Sequence, residues 1–276
     1  MRPAAVTEPA KAKVSRVTPP KPPPSLPTAA PGNENRFVPD EIIFEVRNSI
    51  SASAVDDIAR QNRLTRISSQ RLELAGSTVY RYRVTDGRPV PVVVQALEQD
   101  VRISATQPNF VYRLAESPAP SSLSGTQYAV LQMRLSEAHR VSTGLGISVA
   151  VIDSGIDSTN PELAGSIADA VDVIEGAPRP HKHGTAVAGI IGSHARLMGV
   201  APKAKLLAIR AFASEGGRIG ADGTTDHIVR SIEWAHQRGA RVVNMSFTGP
   251  RDPLLSRELR AGKEKGIVFV AAAGNE

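Results

Sequence analysis

The sequence predicts an α/β protein: a parallel sheet with helices on both faces, preceded by a small α+β unit and a proline-rich arm. Three observations carry this expectation. Nearly all-apolar runs at 147–152, 205–211, 241–246 and 267–272 alternate with helix-like segments that begin near His183, span 225–238 and span 253–265. Continuous apolar strands with helices between them mean a parallel sheet buried on both faces. Residues 37–114 follow a β-α-β-β-α-β order instead, which suggests a ferredoxin-like sandwich. Residues 1–36 show neither period.

The elements follow in chain order. Nine prolines lie between Pro3 and Pro31, with Lys, Ala, Ser and Thr among them, and such a stretch buries too little apolar surface to offset its ordering entropy. A disordered arm is expected over residues 1–36. Glu41 to Val46 alternates like a strand, and Ser53 to Gln61 places helix formers with apolar spacing after a Ser. Leu72 to Val84 supplies two strand-like runs around Ala75 and Gly76, Val90 to Leu97 a second helix, and Val101 to Leu114 a last strand. A Pro/Ser-rich connector over 115–126 then divides this 37–114 unit from residues 127–276, and exposed backbone of that kind is easily cleaved.

Composition excludes several classes. Among 276 residues, 41% are hydrophobic and 22% charged, enough for a buried core, and cysteine is absent, so neither disulfides nor thiol chemistry is available. The net charge of +6 is concentrated in the arm, where five cations face Glu8 alone within residues 1–31. The rest is nearly balanced and has no basic stripe with interleaved aromatics, so no nucleic-acid partner is expected. No apolar run reaches membrane-spanning or signal-peptide length. His181 and His183 could suggest a metal pair, but no third ligand lies near them in sequence, so His181 reads as a loop residue and no metal or other cofactor is expected.

Chemistry concentrates at three segments. Ile147 to Asp153 is an apolar run that ends in Asp153-Ser154-Gly155; His183 opens a run of small residues through Gly189; and Ile267 to Ala273 leads into Gly274 and Asn275. Parallel sheets bind ligands beyond the carboxyl ends of their strands, so Asp153, the 244–247 segment and Asn275 converge on one rim. A histidine with a carboxylate behind it is a general base whose tautomer is fixed and whose imidazolium is stabilised. Each piece alone has a duller reading: a nucleotide-fold turn, a helix-start histidine, a surface asparagine. Trp234 is most simply a core contact.

Taken together these segments, with Gly199-Val200-Ala201-Pro202 and Ile232-Glu233-Trp234-Ala235 between them, resemble the subtilisin-like serine peptidases (family S8). The resemblance implies a serine-type endopeptidase acting on polypeptides, with Asp153 orienting His183 and the Asn275 amide binding the oxyanion. It implies that Asn244 to Gly249 lines a specificity pocket, where Ser246, Phe247, Thr248 and Gly249 pair with an extended substrate as an added strand. Thr248 stands where the family usually has Gly. Gln107 to Tyr112 resembles the end of the inhibitory propeptide that precedes such catalytic domains, so residues 37–114 are expected to inhibit the enzyme from within, with maturation cutting between Arg113 and Thr126. The segment between His183 and Pro202 is shorter and more basic than in the calcium-binding members, and that calcium site is not carried over. Export to the cell envelope or medium is the family's usual fate.

The nucleophile is the missing part. A Gly-Thr-Ser-x-Ala segment occurs nowhere in the sequence, so the expectation is a fragment that is inactive alone, with the reading frame continuing past Glu276. The alternative is a non-catalytic protein that keeps the scaffold for binding.

Overall fold

The computed structural model describes residues 35–115, 127–174, 176, 179–213 and 221–273. The arm expected over 1–36, apart from its last two residues, the connector over 116–126, and Asn275 all lie outside the described residues.

The N-terminal unit runs β1 (Phe37–Arg47), α1 (Ala52–Gln61), β2 (Leu64–Leu72), β3 (Ser77–Val84), α2 (Val90–Leu97) and β4 (Ile103–Leu114). Its strands lie in the order β4-β1-β3-β2, antiparallel throughout, the spatial order of a ferredoxin-like sandwich. Apolar residues of β1 and β3 close on the two helices: Ile42, Phe44, Val46 and Tyr82 meet Val55, Ile58, Val93 and Leu97 in one buried cluster. Ser51 caps α1, its hydroxyl accepting from the Ala54 N–H at 3.2 Å. One expected strand is displaced. The strand before Gly76 ends at Leu72 instead of starting there, because β2 is a half-exposed edge strand with an irregularity between Arg66 and Ser68. Its polar residues hide the period.

The remaining elements are α3 (Tyr128–Gln132), α4 (Leu135–Ala138), β5 (Ser148–Asp153), β6 (Ile167–Asp172), α5 (Lys182–Gly192), β7 (Lys205–Arg210), β8 (Asp222–Thr224), α6 (Thr225–Gln237), β9 (Val242–Met245), β10 (Phe247–Thr248), α7 (Pro253–Glu264) and β11 (Val268–Ala271). Five strands form a parallel sheet in the order β11-β9-β5-β7-β6. Strand alternation sends its residues to two faces. Val149 and Leu206 meet Ala188 of α5 on one side. Ala150, Ile152, Leu207, Ile209 and Val243 meet Ile228, Ile232 and Ala235 of α6 and Leu255 of α7 on the other. Helices therefore cover both faces, as the apolar runs predict. The sequence missed β6, whose alternating acidic residues occupy a sheet edge.

The two units join along β4. Its first part pairs with β1, and its last residues leave the N-terminal unit to lie between β8 and β10: Val111, Tyr112 and Arg113 face Thr224, Gly223 and Asp222, while Arg113 and Leu114 face Thr248 and Phe247. Phe110, Tyr112 and Leu114 thereby enter the same apolar cluster as the sheet and α6. Burying side chains of this size contributes about 1.5–3 kcal/mol each. Polar residues secure the helix ends. The side-chain oxygen of Gln107 accepts from the Leu254 N–H at 3.1 Å and that of Asn109 from the Asp226 N–H at 3.3 Å, so β4 satisfies N-terminal donors that α6 and α7 cannot satisfy themselves.

Candidate active site

Asp153 is the last residue of β5 and is fully buried. Its Oδ1 accepts from the Ser154 N–H at 2.7 Å and from the Ser154 hydroxyl at 3.1 Å. His183, in the first turn of α5, places Nδ1 2.8 and 3.0 Å from the two carboxylate oxygens. A carboxylate only accepts, so Nδ1 carries a proton and donates it to Asp153. The expected pair is thus in hydrogen-bond contact across 30 residues of chain.

Two glycines make that contact possible by close approach. A Cβ on Gly184 would stand 2.4 Å from the Ser154 carbonyl oxygen, and one on Gly155 would stand 2.0 Å from the Arg179 carbonyl oxygen. The start of α5 therefore lies directly on the 153–155 turn. Gly184 also donates its N–H to the Ser154 hydroxyl at 3.1 Å, so Ser154 links carboxylate and helix. His181, expected as a plain loop residue, is the N-cap of α5: its Nδ1 accepts from the His183 N–H at 3.3 Å and lies 3.2 Å from Ser154 Oγ. Sequence reasoning missed both Ser154 and His181, although the Ser beside the Asp was in view as part of a turn. Further along the same face, the loop after α5 turns the N–H groups of Arg196 and Leu197 onto the Glu162 carboxylate at 2.9–3.1 Å, which holds that carboxyl below its usual range.

The tail of β4 runs into this corner. The Ala115 N–H donates to the Ser246 carbonyl at 3.0 Å, and the Ala115 carbonyl oxygen stands 3.4 Å from His183 Nε2. Behind it, β10 on one side and β8 on the other form a slot for an extended chain. Of the four residues expected to bind such a chain, Ser246 holds Ala115, Phe247 pairs with Leu114, Thr248 pairs with Arg113, and Gly249 lies against the Tyr112 ring, which leaves no space for a Cβ. The opposite wall, β8, was invisible in the sequence because Asp222-Gly223-Thr224 has no strand period.

The Asp–His pair thus lies at the carboxyl rim of a helix-covered parallel α/β sheet, with a strand-lined slot beside it. Residues 144–276 match the model of the subtilase family (Peptidase S8). It is 28% identical over 248 residues to the thermophilic serine proteinase of Bacillus sp. (strain AK1), covering 87% of this chain and 59% of that protein. It is 32% identical over 188 residues to subtilisin E of Bacillus subtilis (strain 168), covering 65% of this chain and 48% of that protein. The crystal structure of fervidolysin from Fervidobacterium pennivorans, described as a keratinolytic enzyme related to subtilisin, superposes with a TM-score of 0.68 at 21% identity over 90% of this chain and 41% of that one, a likeness of fold. The chain spans about half the length of the curated relatives it matches.

Proposed function

We propose that these residues are the precursor part of a subtilisin-like serine endopeptidase, in which His183 is the general base, Asp153 its orienting acid, and residues 37–115 an intramolecular inhibitor lying in the substrate cleft. The observation that carries this reading is the Ala115 carbonyl 3.4 Å from His183 Nε2 at the end of a strand held on both sides. An inhibitor that enters as an added strand gains affinity from main-chain pairing and places one peptide bond at the reacting groups. That bond is Ala115–Glu116, inside the 113–126 window.

In the reaction, His183 Nε2 takes the proton of a serine hydroxyl as that oxygen attacks the substrate carbonyl, then gives it to the departing amine. Asp153 holds Nδ1–H throughout and stabilises the imidazolium. Ser246 to Gly249 bind the acyl side of the substrate, and Asn275 supplies an amide donor to the oxyanion. These 276 residues contain no Gly-Thr-Ser-x-Ala segment, and the serine is assigned to none of them.

The test uses the gene product that joins these residues to its nucleophile. Intact-mass analysis is expected to find a mature chain beginning at Glu116. Asp153→Asn or His183→Ala is expected to stop this processing, since loss of the orienting acid or base costs about 10⁴-fold or more. Residues 1–276 alone are expected to remain unlabelled by a fluorophosphonate. Normal processing by His183→Ala would refute the assigned base and favour a binding scaffold.

A further inference from the structure

Tyr112 enters a pocket whose floor carries a charge. Its ring packs edge-on to Phe247, centroids 5.7 Å apart at 86°, and Phe247 rests in turn on Phe212 at 5.0 Å. Gly249 leaves room for the ring, since a Cβ there would fall 2.0 Å from Tyr112 Cδ1. At the bottom, the Tyr112 hydroxyl donates to Asp252 Oδ2 at 2.8 Å. Asp252 is only 4% exposed. It accepts three further hydrogen bonds: from the Thr225 hydroxyl at 2.7 Å, from the Leu255 N–H at 2.9 Å and from Gln107 Nε2 at 2.9 Å.

Two of these four donors belong to the domain that holds Asp252, and two, from Tyr112 and Gln107, arrive with the N-terminal unit. Once that unit leaves, the carboxylate faces the slot with lone pairs unfilled, at the end of an aromatic-walled pocket deep enough for a phenol. The Tyr112 phenol is pushed up from its ordinary range by burial and by the Asp252 charge, so it stays a proton donor at any working pH.

Building on the peptidase reading above, we infer that Asp252 is a specificity-determining residue that reads a phenolic hydroxyl on the substrate residue three places before the one whose carbonyl is attacked. Phenylalanine at that place fills the same aromatic walls but leaves Oδ2 with Thr225 as its sole donor. A buried acceptor of this kind discriminates through the hydrogen bond it is denied more than through the one it makes. Tyrosine is therefore the selected side chain, and Tyr112 occupies the pocket because it mimics that substrate.

The test is a peptide series Xaa-Arg-Leu-Ala with a chromogenic leaving group, Xaa being Tyr, Phe, Leu or Arg, assayed with the gene product that carries the nucleophile. Tyr is expected to exceed Phe in kcat/KM by roughly tenfold or more, and Asp252→Asn, which keeps a helix-capping side chain, is expected to bring that ratio near one. Cleavage without preference for Tyr over Phe, a preference for Arg, or a ratio unmoved by Asp252→Asn would overturn the inference while leaving the peptidase reading intact. If no peptide is cut, the peptidase reading falls and takes this with it. A second measurement needs no activity: in the 276-residue chain, a Tyr112→Phe and Asp252→Asn double-mutant cycle on denaturant unfolding is expected to be non-additive, and additive effects would count against the pairing. Should Asp252→Asn fail to fold, the wild-type Tyr-to-Phe ratio decides alone.

Discussion

At Gly184 the alignment of the Asp–His pair depends on a hydrogen atom where other residues carry a methyl group. The Cβ of an alanine would meet the Ser154 carbonyl at 2.4 Å, and the atom it meets is backbone, which cannot swing aside. Gly184→Ala is expected to destabilise the chain by about 1–3 kcal/mol, the usual cost of forced overpacking. It is also expected to move His183 off Asp153, because α5 must shift away from the 153–155 turn. Thermal unfolding gives the first effect. The second appears as lost self-processing in a variant that still folds, and full processing at an unchanged melting point would show that the contact is not needed.

At the scale of elements, the cleft wall and the helix behind it share one residue. Thr224 ends β8, pairs with Val111, and caps α6: its hydroxyl accepts from the His227 N–H, while His227 Nδ1 accepts from the Thr224 N–H at 3.3 Å. Burial pushes His227 down to about 4, so its ring stays neutral and able to accept. Thr224→Ala removes the cap and is expected to cost about 1 kcal/mol in denaturant unfolding, within the range for N-cap threonines, and to loosen the tail of β4. No loss of stability would show the cap to be redundant. Legibility also divides along elements. The inner strands β5, β7 and β9 and the edge strand β11 are continuous apolar runs and could be read directly, as could Asp153 at the end of β5 and His183 in the first turn of α5. Strands β2, β6 and β8 are short or half-exposed, their polar residues face solvent or a neighbouring chain segment, and their pairing is dictated by tertiary partners that no local pattern encodes. Asp252 was missed for a related reason: its contact with Tyr112, 140 residues earlier in the chain, exists only in the folded molecule.

Across the whole molecule, the junction of the two units buries like charges. Glu258 of α7 is fully buried with neither carboxylate oxygen hydrogen-bonded, and Glu45 of β1 and Glu233 of α6 are buried nearby. Burial first, then the charges of Glu233 and Glu45, push Glu258 up to about 8, against the opposing pull of Arg257, which is paired with Glu45. A carboxyl raised in the fold contributes its stability below its ordinary value and loses it as pH climbs to the raised one. The chain is therefore expected to lose about 2–4 kcal/mol relative to Glu258→Gln between pH 4.5 and 8. Unfolding midpoints of the two proteins, compared at pH 5 and pH 8, measure this directly, and parallel profiles would mean that Glu258 is not protonated in the fold.

The tail of β4 has a consequence for molecularity. While the Ala115–Glu116 bond is intact, occupancy of the slot is a unimolecular equilibrium, set by a tether whose effective concentration is of order millimolar and indifferent to how much protein is present. Cutting after Ala115 turns the same contacts into a bimolecular complex, whose occupancy falls on dilution and vanishes if the released unit is itself degraded. The bond beside His183 thus separates a regime in which the cleft is closed regardless of concentration from one in which volume and turnover decide when it opens.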